Sequence, residues 1–86
     1  MYSFPRTKFV DTNGSFEQLQ HLDSELTELI AAFHTPDGVH TLKEAFDVIH
    51  SAETFIRIFS ATYDLNPEKI KASVIAGNRA RGYYAD

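Results

Sequence analysis

The stretch from Leu42 to Phe59, LKEAFDVIHSAETFIRIF, decides the fold. Its apolar residues (Leu42, Ala45, Phe46, Val48, Ile49, Ala52, Phe55, Ile56, Ile58 and Phe59) recur at intervals of three and four, which predicts a helix. At about 100° per residue they cover more than half of its circumference. A helix left with so narrow a polar strip is central and needs cover on most sides.

Reading outward, Thr35-Pro36-Asp37-Gly38 is turn chemistry, so the central helix begins between Asp37 and Thr41 and ends near Thr62. Upstream, Phe16, Leu19, Leu22, Leu26, Leu29, Ile30 and Phe33 form one stripe, predicting a helix from Ser15 to about Phe33. Ser15 and Gln18 have capping-box spacing at its start. Downstream, Asn66-Pro67-Glu68 supplies an N-cap, a first-turn proline and an acidic first turn. A third helix therefore starts there and stops between Asn78 and Arg81, before Gly82. Residues 1–14 mix aromatic, basic and polar residues around Pro5 and read as an extended arm, either loose or packed on a partner subunit. The expected architecture is all-α: an arm over 1–14 and a single helical domain over 15–86. Three helices do not close a four-helix bundle, so a homodimer or homotetramer is expected to complete it.

The bulk properties narrow the function. Eighty-six residues make one small domain that buries only roughly 60% of its unfolded surface. A net charge of −4 argues against nucleic-acid binding, which needs basic surface to displace counterions. The absence of Cys excludes thiolate nucleophiles, disulfides and zinc–thiolate sites. No apolar run suits a signal peptide or a membrane span, so the expectation is a soluble cytoplasmic protein. Gly-rich phosphate loops and dinucleotide fingerprints are missing.

The chemistry lies in two acidic pairs of equal spacing, Glu25/Glu28 and Glu44/Asp47. Residues three apart share a helix face. Glu44 falls inside the apolar arc of the central helix and Asp47 just past its edge, while Glu25 borders the stripe of the first helix. Packing through these stripes gathers the four carboxylates in a partly buried place. Ionised carboxylates there need a counter-charge, and a hard divalent cation, Mg2+ or Mn2+, takes oxygen ligands. Magnesium also bridges to phosphates, turning an acidic cluster into a phosphate site. The bland readings are that Glu44 caps its helix with Thr41, and that Glu25 and Glu28 are solvated surface acids.

The pattern of Glu25/Glu28 on one helix and Glu44/Asp47 on the next resembles the MazG-like all-α nucleoside triphosphate pyrophosphohydrolases. The stretches Asp47–Arg57 and Val74–Tyr84, the latter containing Asn78-Arg79-Ala80-Arg81-Gly82-Tyr83, are similar to short members found in bacteria and phages. The likeness runs from Phe16 to Tyr84. It implies cleavage of a (deoxy)nucleoside triphosphate to monophosphate and pyrophosphate, with Glu25, Glu28, Glu44 and Asp47 as metal ligands. Glu28 or Glu25 would take the proton of the attacking water. Similar proteins commonly carry Lys where this chain has Gly77; either Asn78, Arg79, Arg81 or Lys71 then holds the phosphates, or substrate binding is weaker or altered.

Gln18 and His21 continue the polar strip of Glu25 and line a base or ribose pocket, or else make local hydrogen bonds. His50 is a partner of Asp47 or a surface residue, Arg57 pairs with Glu53 at i and i+4, and Tyr83 and Tyr84 stack on a base or pack across an interface. A di-iron bundle wants Glu-x-x-His on two helices, which this chain lacks. The remaining alternative is a non-enzymatic dimerisation or adaptor protein, or an inactive family member.

Overall fold

Asp37 starts the central helix: its carboxylate accepts from the His40 N–H at 3.1 Å. In the computed structural model, which describes residues 2–85, the elements are α1 (Phe9–Thr12), α2 (Ser15–Phe33), α3 (Gly38–Thr62) and α4 (Pro67–Ala80). The described residues contain no strand, and the fold is all-α. Beside the three expected helices, the arm carries a fourth element, the single turn α1.

One expected cap is corrected and one rival reading is removed. Gly14, not Ser15, is the N-cap of α2, and its N–H donates to Glu17 at 3.4 Å. Gln18 is thereby freed from capping. On α3, Asp37 takes the N-cap and Thr41 instead donates to the Ala32 and Asp37 carbonyls. Glu44 sits about two turns inside the helix and caps nothing. Asn66 caps α4 as expected, accepting from the Glu68 and Lys69 N–H groups. Asp64 at φ 51° ends α3, and Gly82 at φ 75° follows the end of α4; both take the left-handed turn that closes a helix.

Helices α2 and α3 pack as an antiparallel pair joined by the turn at 34–37, and α1 lies against α3. Their crossing is unusually polar. Gln18 is fully buried, and Ser51 and Thr54 are buried beside the apolar Ala32 and Ile58. The Gln18 amide donates to the Ser51 carbonyl at 3.1 Å and hydroxyl at 3.0 Å, and accepts from Asn13 at 2.9 Å. A buried amide is tolerable only when satisfied in this way.

Much apolar surface is left over. Phe16, Ile30, Phe33, Leu42 and Val74 are each more than half exposed. Accessible surface is 6292 Å², where a compact monomer of 9.7 kDa would show about 5,100 Å². The radius of gyration, 14.9 Å, exceeds the roughly 12 Å of a compact domain of this length. The protomer is a flat body of 40 × 39 × 20 Å.

Candidate functional site

Packing of α2 on α3 brings Glu25, Glu28 and Glu44 together, with one carboxylate oxygen of each within 4.8 Å of the others. Glu25 and Glu28 leave α2 one turn apart, and Glu44 comes from the facing turn of α3. The Glu25 and Glu44 side chains are only 16% exposed, and the Oε2 of each is buried with no hydrogen-bond partner. The other oxygen of each faces a histidine one turn earlier on its own helix. His21 Nε2 lies 3.3 Å from Glu25 and His40 Nε2 lies 3.9 Å from Glu44.

The electrostatics follow from that crowding. Burial, then the nearby Glu28 side chain and its charge, raise the Glu25 carboxyl above the usual glutamate value. Asp47 pushes the same way and His21 opposes it. Gathering acids without donors disfavours their ionised forms. A divalent cation with oxygen preference would relieve both the repulsion and the two orphaned oxygens, so the donor set fits such an ion. Asp47 stands outside the close trio, exposed, and shares with Glu25 the lining of a neighbouring cavity.

Two cavities flank the carboxylates. One, of about 270 Å³, is lined by Glu25 and Asp47, by Thr7, Phe9, His21 and His50, and by the buried Gln18, Ser51 and Thr54. The other, of about 330 Å³, is lined by Glu28, Glu44, His40, Thr35 and the two alanines Ala31 and Ala32. The spacing of residues along the chain assigns His40 no role by itself. Set beside the matching pair of His21 and Glu25, its position four residues before Glu44 is the signal that marks it.

The arm supplies Thr7 and Phe9 to the first cavity, and α3 holds the arm largely by its backbone. The Ser3 and Phe4 N–H groups donate to the Glu53 carboxylate. Arg57 donates to the Phe4 carbonyl at 3.1 Å, and its guanidinium lies 4.0 Å from the Tyr2 ring centre. His50 Nε2 lies 3.2 Å from the Pro5 carbonyl, and Phe4 stacks on the His50 ring at 4.6 Å. The expected Glu53–Arg57 ion pair is thus replaced by two separate grips on the arm, and the arm packs on its own subunit.

The cations expected to hold phosphates stand elsewhere. None of Lys71, Asn78, Arg79 and Arg81 lines either flanking cavity. Arg79 faces the Tyr84 ring at 5.0 Å, and Arg81 donates to Asn78 and faces Tyr83. Lys71 borders an apolar cleft of about 400 Å³ between α3 and α4, walled by Phe55, Phe59, Leu65, Ile70 and Val74. A side chain at Gly77 would meet nothing within 4 Å. No described helix is long and apolar enough to cross a membrane. Compared with models of known families, with curated proteins and with solved structures, the chain matches none.

Proposed function

We propose that this chain is a magnesium-dependent nucleotide pyrophosphohydrolase that cleaves a (deoxy)nucleoside triphosphate to the monophosphate and pyrophosphate. The observation that carries the reading is the pair of buried, donorless oxygens, Glu25 Oε2 and Glu44 Oε2, set beside Glu28. Leaving a buried acceptor unsatisfied costs about 1–3 kcal/mol, and more when it is charged. A structural cluster of acids has no reason to bear that cost. Glu25, Glu28 and Glu44 would hold Mg2+, or Mn2+ in its place, with Asp47 completing the set from the cavity lining. The bound ion supplies charge neutralisation on the phosphates and a lowered pKa for water. Glu25 or Glu28, both beside the ion, would take the proton of the attacking water. His21 orients Glu25 from 3.3 Å.

The same reading makes the protein a homodimer or homotetramer. Surface in excess of a compact monomer is about 1,200 Å², comparable with the roughly 800 Å² that each partner buries in a standard interface. The apolar cleft between α3 and α4 would seat a second copy, and a neighbouring subunit would bring its Lys71, Arg79 and Arg81 to the phosphates.

The test is to incubate the full chain with magnesium and a panel of canonical and modified triphosphates, following pyrophosphate. Release abolished by Glu44→Gln supports the reading; no release from any triphosphate overturns it. A second reading, a non-enzymatic dimerisation protein, draws on the placement of the four substrate-binding candidates of α4 outside both flanking cavities. It requires oligomerisation without hydrolysis.

A further inference from the structure

We propose that the cavity beneath the N-terminal arm receives the nucleoside end of the substrate and grips the base by its face through Phe9, without reading its edge. This rests on the pyrophosphohydrolase reading for its ligand and on the cavity's own walls for its mode of recognition. The cavity is about 270 Å³, just under the roughly 300–1,000 Å³ of sites for drug-sized ligands, and so suits one base with its sugar. Glu25 and Asp47 form part of its lining, so a nucleoside seated there has its phosphates within reach of the carboxylates.

Each uncharged polar side chain of the wall already has a polar partner, His21 in Glu25 and the rest as follows, and the two acids of the wall, Glu25 and Asp47, belong to the proposed metal set. The Gln18 amide is spent on Ser51 and Asn13. Thr54 Oγ1 donates to the His50 carbonyl and meets Thr7 Oγ1 at 3.3 Å. His50 Nε2 is turned to the Pro5 carbonyl. A base edge entering here finds its natural donors and acceptors already engaged. What remains on offer is ring surface. Phe9 is 36% exposed, and its ring leans on His21 with centroids 5.5 Å apart and planes at 42°. Every base has a π-face, so recognition by stacking tolerates all of them.

The experiment measures equilibrium binding of non-hydrolysable α,β-methylene triphosphates of four bases, with magnesium, by calorimetry on the full chain. Wild type, Phe9→Leu and Phe9→Tyr are compared. Leucine keeps bulk and loses the ring face; tyrosine keeps the face. Phe9→Leu is expected to weaken binding roughly five-fold or more for all four bases alike, with Phe9→Tyr within about two-fold of wild type. Unchanged affinity in Phe9→Leu, a loss confined to one base, an equal loss in Phe9→Tyr, or no binding by the wild type overturns the proposal. Binding with this pattern but no pyrophosphate release from ordinary triphosphates removes the proposed activity and leaves the subsite standing.

Discussion

Glu25 on α2 and Glu44 on α3 face one another across the helix pair, each with one oxygen buried and undonated and each with a histidine one turn before it. Neither acid caps a helix, and neither is solvated as a surface glutamate would be. The relationship is local in each helix and meaningful only between them.

Because the Glu25 carboxyl titrates above the ordinary glutamate value when folded, the folded state binds its proton more tightly than the unfolded chain. The metal-free protein should be most stable with Glu25 protonated. Stability should fall as pH rises from the ordinary glutamate value through the raised folded one. Added magnesium or manganese should reverse the loss at neutral pH. Thermal melting across pH, with and without metal, measures this; a metal-free Tm that rises through that window contradicts it.

Glu44→Gln should reduce pyrophosphate release roughly 100-fold or more, since loss of a metal's outer-sphere partner alone costs about 10–100-fold. The same variant should raise the metal-free Tm at neutral pH and lose the upward shift given by magnesium. A variant that melts lower without metal would mean that Glu44 supports the fold.

Gln18→Ala should cost about 2–4 kcal/mol in urea unfolding, because it opens a void and strands Ser51 and Asn13. Gln18 also shows why part of the molecule was hidden in the sequence. Helices α2, α3 and α4 follow from residues such as Phe16, Phe46 and Pro67, whose spacing carries the information locally. The value of Gln18 depends on Ser51, and that of Glu53 on the Ser3 and Phe4 backbone; such pairs leave no periodic trace. The cap of α3 was ambiguous for a related reason: Asp37 and Thr41 are both competent caps, and only the contact of Thr41 with the Ala32 carbonyl separates them. Glu44 was legible because an acid within an apolar arc contradicts the pattern around it.

Gly77→Lys should stabilise the protein by about 1 kcal/mol, since glycine in a helix interior is that much worse than ordinary residues and the site is open. If phosphates are held by cations from α4, the same change should lower KM for the triphosphate. A KM unaltered in a stabler protein would separate α4 from substrate binding.

Val74→Glu, placed in the cleft between α3 and α4, should convert a dimer to monomer in sedimentation equilibrium. It should also abolish the concentration dependence of Tm that a dimer shows. A wild type that sediments as a monomer at every concentration removes the oligomer and the supply of cations from a neighbour.

The grip on the arm goes to main-chain atoms: two N–H groups to Glu53, one carbonyl to Arg57 and one to His50. Main-chain atoms are common to all residues but proline's missing donor. Outside Tyr2, Phe4 and Thr7, whose side chains make contacts of their own, the segment before Phe9 can therefore change its letters and still dock in the same register. The wall of the adjoining cavity behaves as a facing on a fixed mount, and substitutions at positions 7 and 9 re-shape what enters while being felt at Thr54 and at His21, the neighbour of Glu25.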